Sequence, residues 1–105
     1  MKQIIINYVQ GLTEHPLNER SRYHHVTDYR HLLIYLLKKY HPHWGYRKIV
    51  WSFDFNDFGL VPYVMEKYEG RLQVDGRFKR WLDGHIERVE KLMSCTTALN
   101  NTLMN

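Results

Sequence analysis

The stretch YRHLLIYLLKKYHP, residues 29–42, constrains the fold of this chain more than any other. Its apolar residues Tyr29, Leu32, Leu33, Leu36, Leu37 and Tyr40 recur at steps of three and four. That is the period of an α-helix with one buried face; a half-buried strand needs strict alternation instead. Thr27 or Asp28 stands where an N-cap belongs, because a short oxygen-bearing side chain accepts from the unpaired N–H groups of a first turn. Lys38 and Lys39 fall in the last turn, where cations complement the helix dipole. His41-Pro42 then ends the segment, since the residue before a proline is pushed out of the α region.

The same period recurs downstream. GYRKIVWSF reads as a short helix with Tyr46, Ile49, Val50 and Phe53 inward. LVPYVMEKYEGRL sets Leu60, Val61, Val64, Tyr68 and Leu72 on one stripe. Pro62 is tolerated only in a first turn, so this helix starts between Asp57 and Val61, with Asn56 or Asp57 as its cap. Asp75 caps a last long helix that turns Phe78, Trp81, Leu82, Ile86, Val89 and Met93 inward. The tail TTALNNTLMN is polar and is expected to fray. Upstream, QIIINYVQ, residues 3–10, suits a short strand or a short helix equally. Gly11 and Pro16 bracket a break, and residues 12–25 read as a loop or arm carrying Arg20 and Arg22. The pattern predicts an all-α, compact bundle of four or five helices. An N-terminal segment covers 1–19, the helical domain 20–93 and a frayed tail 94–105.

Composition narrows what such a bundle can do. A chain of 105 residues, 44% apolar and 25% charged, makes one ordinary globular core. Cys95 is the only cysteine, which rules out an intramolecular disulfide and a CxxC site and fits a reducing, cytoplasmic setting. No apolar run reaches bilayer length, so no membrane role is expected, and MKQIIINYVQG makes a poor signal peptide. His24-His25 and His41-x-His43 lack acidic or Cys ligands at compact spacing, so no metal is expected. No carboxylate pair and no nucleophile–base set stands out, so neither an enzyme nor a cofactor is expected. Trp44, Trp51 and Trp81 read as core or rim anchors. The net charge of +4 permits a nucleic-acid partner without requiring one.

One order of motifs is more specific. A basic arm RSRYHH precedes Val26 and Arg30, which form V-x-x-x-R, and then the apolar helix LLIYLLKKY. A short helix follows with Ile49 and Phe53, and then FDFNDFGLV and MEKYEGRLQVDGRFKRWLDGHI. Over residues 20–92 this order resembles the C-terminal DNA-binding domain of the bacterial replication initiator DnaA. In that family FGGRDHTTV opens the recognition helix. Phe53, Asp57 and Val61 match that signature, and Lys67, Leu72, Asp75 and Phe78 match the closing stretch. The resemblance implies a helix-turn-helix of the tryptophan-repressor kind. The initiator's ATPase part has no counterpart, because no G-x-x-x-x-G-K-[ST] loop occurs.

The resemblance also implies roles. Arg22, with Arg20 beside it, would enter the minor groove, where negative potential concentrates. Arg30, Lys38 and Lys67 would hold phosphates, with Arg47 and Lys48 adding contacts from the short helix. Asp57 would accept from a cytosine amino group. Residues 56 to 67 would lie in the major groove, with Asn56, Phe58, Gly59, Leu60 and Tyr63 facing the bases. The signature itself has changed: Asn56 replaces Arg, Phe58 replaces His, Gly59 and Leu60 replace two Thr, and Asp54 and Phe55 replace two Gly. Apolar groups cannot reproduce bidentate base readout, so recognition of the family's usual site is expected to be lost. The sequence therefore predicts a small, non-enzymatic helix-turn-helix protein that binds double-stranded DNA, of a size suited to a phage or mobile element. A protein partner is the alternative, docked on an apolar face of Phe55, Phe58, Leu60 and Tyr63.

Overall fold

The computed structural model describes residues 1–19 and 24–104, with side chains placed over 1–19 and 26–95. Among the described residues there are five α-helices and no strand: α1 (Lys2–Gln10), α2 (His24–Tyr40), α3 (Tyr46–Trp51), α4 (Leu60–Val74) and α5 (Gly76–Met104). The all-α bundle expected from the apolar period is what forms. None of these helices is long and apolar enough to cross a membrane.

Helix α2 is the centre. Leu32, Leu33, Ile34, Leu36 and Leu37 are all fully buried. A helix with apolar residues around most of its circumference has to be covered on several sides. Helices α1, α3 and α4 pack against α2, and α5 closes on α1 and α4. Each fully buried Leu or Ile here stabilises the fold by about 1.5–3 kcal/mol, so α2 is the element that the rest cannot dispense with.

The segment QIIINYVQ is helical. Ile5 and Val9 lie one turn apart and are fully buried, an arrangement that meets α2 without the partner strand that an extended segment would need. The Gln10 amide then folds the following turn back. Its Nε2 donates to the His15 carbonyl at 2.8 Å, and its Oε1 accepts from the Leu17 N–H at 3.1 Å. Leu17 enters the core through this turn. A 2.6 Å hydrogen bond between the Tyr8 hydroxyl and His85 Nδ1 joins α1 to α5.

Three local expectations need correction. Helix α2 begins at His24, so Thr27 and Asp28 lie inside it rather than at its cap. Helix α4 does start within the expected window and keeps Pro62 in its first turn. Its cap is Gly59 without a side-chain bond, however, and the Asp57 carbonyl accepts from the Leu60 N–H at 3.2 Å. Neither the Asn56 nor the Asp57 side chain caps it. Tyr46 and Trp81 are exposed rather than inward; Tyr46 lies under the Lys38 ammonium, and Trp81 packs edge-on against His85 at the rim. The backbone of helix α5 runs helical to Met104.

The Asp75 cap is where the sequence places it. Its Oδ1 accepts from the N–H groups of Arg77 and Phe78, both at 3.1 Å. The Phe78 N–H first, and then the Arg71 guanidinium, hold this carboxyl below its ordinary range.

Candidate nucleic-acid interface

The corner between α3 and α4 is built from backbone closure and two aromatic pegs. Ser52 Oγ donates to the Ile49 carbonyl at 2.6 Å. The N–H groups of Phe53 and Phe55 both donate to the Val50 carbonyl, at 3.2 and 2.9 Å. Phe53 and Phe55 are buried and stack with their rings 5.7 Å apart. Between them Asp54 adopts φ 58°, the left-handed region. Side chains other than Gly, Asn and Asp rarely sit there, and the resembled signature has a glycine at this position.

Beyond the pegs the chain turns outward. Asn56, Asp57, Phe58 and Gly59 are exposed, Leu60 is half-buried, and Tyr63 is exposed. Phe58 keeps 43% of its surface in solvent, Tyr63 57% and Trp51, at the end of α3, 58%. Two cations of α3 lie over aromatic faces near the corner. The Arg47 guanidinium is 4.9 Å from the centre of the Phe58 ring, and the Lys48 ammonium is 4.7 Å from that of Trp44. Both are exposed. Cation–π contacts of this exposed kind contribute about 0.5–1 kcal/mol. They orient the cations without discharging them, so both remain able to meet an anion.

The remaining basic residues divide differently from the expectation. Arg20 and Arg22 lie outside the described residues. Arg30 is no surface cation: it is only 6% exposed. Its Nε donates to the Leu17 carbonyl at 2.7 Å, its Nη2 donates to the Glu19 carbonyl, and its guanidinium covers the Phe55 ring. The phosphate role is excluded by this placement, since Arg30 shares its helix face with buried Val26 and points where that residue points. Lys38 is likewise occupied. Its ammonium donates to the carbonyls of Pro42 and Trp44, both at 2.8 Å, and so closes the turn between α2 and α3. Lys67 is half-buried, and its ammonium is 2.7 Å from His31 Nδ1, which accepts from it. Phe55, expected on an apolar docking face, is a core peg instead.

The structure thus brings Arg47 to Phe58, and Lys38 to Lys48 around Trp44, while Lys67 turns away to His31. Trp51 is a surface residue of this corner that the sequence reading places only as an anchor. Its exposure follows from the buried pair Ile49-Val50, which fixes the opposite face of α3. His31 also went unmarked; burial, with the Lys67 charge next, pushes its pKa down to about 4. Among the described residues no group of three or more His, Cys, Asp or Glu side chains could hold a metal ion. No protein family, curated protein or solved structure matches this chain.

Proposed function

We propose that this chain is a small, non-enzymatic helix-turn-helix protein that binds double-stranded DNA through the α3–α4 corner. Arg47 and Lys48 contact phosphates. Asn56, Asp57, Phe58, Gly59, Leu60 and Tyr63 face the groove, where Phe58 and Leu60 suit a thymine methyl group and Asp57 a cytosine amino group. One observation carries the reading: the leading edge of α4 and the turn before it stay exposed beside two uncommitted cations. The left-handed Asp54, standing where the DnaA-like signature has a glycine, supports it.

A second reading has its own support. With Arg30 and Lys38 committed to carbonyls, fewer of the expected cations remain at the corner to hold a polyanion. Trp51, Phe58 and Tyr63 leave large apolar rings in solvent, as a protein-docking surface does. A salt series with random and A·T-rich duplexes separates the two. Two phosphate contacts give a slope of log K against log salt of about −1.8, and Arg47→Ala or Lys48→Ala each removes about 0.9 of it. A flat series, or a slope that neither substitution changes, would retire the DNA reading in favour of protein docking.

A further inference from the structure

Helices α2, α4 and the start of α5 enclose a cleft of about 460 Å³. That is the size range of small-molecule sites. Four of its ten lining residues are aromatic, Tyr29, Tyr68, Phe78 and Trp81. Tyr68 and Phe78 meet edge-to-face at 4.8 Å, and Phe78 stacks on Trp81 at 5.7 Å. Of these three rings only Trp81 is exposed; Tyr68 and Phe78 are buried, and the Arg71 guanidinium lies over the Phe78 ring at 4.2 Å.

The polar groups of the cleft are unevenly balanced. Lys67, Arg71 and Arg77 line it, with Asp28, Asp75 and His31. Asp75 and Arg71 satisfy each other at 3.3 Å, and the second Asp75 oxygen caps α5. Among the described residues no carboxylate comes within ion-pair distance of Lys67 or Arg77. Lys67 donates instead to an imidazole and lies about 6 Å from the Tyr63 and Tyr68 ring centres. Lys67 has Asp28 as its opposing charge, without an ion pair between them. A half-buried ammonium whose opposing charge lies beyond ion-pair distance is an unfavourable arrangement that an entering anion relieves. The first turn of α5 adds the partial positive charge of a helix N-terminus beside Arg77.

We infer that this cleft binds a small aromatic anion: a flat ring system lying against exposed Trp81, beside the buried Tyr68 and Phe78, with one carboxylate or phosphate held by Lys67 and Arg77. The duplex reading plays no part in this argument, and the two stand or fall separately.

The test is a titration of the full chain followed by backbone amide resonances, with 1-naphthyl phosphate and 2-naphthoate as probes. Inorganic phosphate and uncharged 2-naphthylmethanol serve as comparators. The two aromatic anions distinguish phosphate from carboxylate as the preferred group. At least one of them should shift the amides of Lys67, Arg71, Arg77 and Trp81, and should bind about tenfold or more tightly than either comparator. Arg77→Gln, a surface change that leaves the core untouched, should weaken that binding about tenfold, the loss of one charge-assisted hydrogen bond. Lys67→Gln, which still offers His31 a donor, should do the same. Equal affinity for the alcohol or for inorganic phosphate, shifts centred elsewhere, or unchanged affinity in both variants would overturn the assignment.

Discussion

Acid should unfold this protein partly through His31, and the size of the effect can be worked out. The side chain is 6% exposed and faces Lys67 and Arg30, with Asp28 as the opposing charge. Burial first, and the Lys67 charge second, lower its pKa to about 4. The unfolded chain takes up a proton at this residue near pH 6.5, while the folded chain refuses it until about pH 4. Protons therefore favour the unfolded state inside that window. The contribution of His31 is complete above the unfolded pKa, falls as the pH drops, and is gone below the folded one. At about 1.4 kcal/mol per pH unit, the loss between pH 7 and pH 5 is roughly 2 kcal/mol. For a domain of this size that lowers the melting temperature by about 8 °C or more. His85, also buried and lowered, acts in the same direction. Thermal or urea unfolding at pH 7, 6 and 5 and constant ionic strength measures the slope. His31→Gln keeps an acceptor for Lys67 but cannot titrate, so its curve should be flatter by about one proton. A wild-type protein equally stable at pH 7 and pH 5, or a variant with the wild-type slope, would refute the reasoning.

Three further predictions concern stability. Arg30→Met should cost about 2–4 kcal/mol in urea unfolding, because two backbone carbonyls lose charge-assisted donors; a loss below about 0.5 kcal/mol, the ordinary surface range, would show that this arginine is not structural. Asp75→Ala should lower the melting temperature and Asp75→Asn, which keeps a capping oxygen, should lower it less; equal losses would mean the cap is not the source. Asp54→Ala should destabilise by about 1 kcal/mol, whereas Asp54→Gly should be neutral or mildly stabilising at this left-handed position. The reverse order in a paired denaturation experiment would contradict the observed φ.

Much of the fold is legible because α2, α4 and α5 carry long apolar stripes with local stop and start signals. Leu32, Leu33, Leu36, Leu37, Val61, Val64, Phe78, Leu82 and Val89 are buried as their spacing requires. Pro62 and Asp75 mark helix starts by local chemistry alone, so nothing distant can mislead them. The short segment around Ile5 and Val9 is different: only the surface it meets decides between helix and strand. The interface was harder to read. Arg30 matched a motif, yet it lies on the same helical stripe as Val26, Leu33 and Leu37, and that register was a signal of burial. Its partners, the carbonyls of Leu17 and Glu19, come from a turn whose path the sequence does not reveal. Lys38 was legible as a helix-end cation, and that is the part it plays, through the carbonyls of Pro42 and Trp44. The aromatic cleft was invisible, because its lining comes from three helices that are neighbours only in space.

The bond between Tyr8 and His85 spans 77 positions. During synthesis, Tyr8 emerges from the ribosome with Ile5 and Val9 beside it long before its partner on α5 exists. The nascent chain must hold these apolar residues in some provisional way until residue 85 has been added.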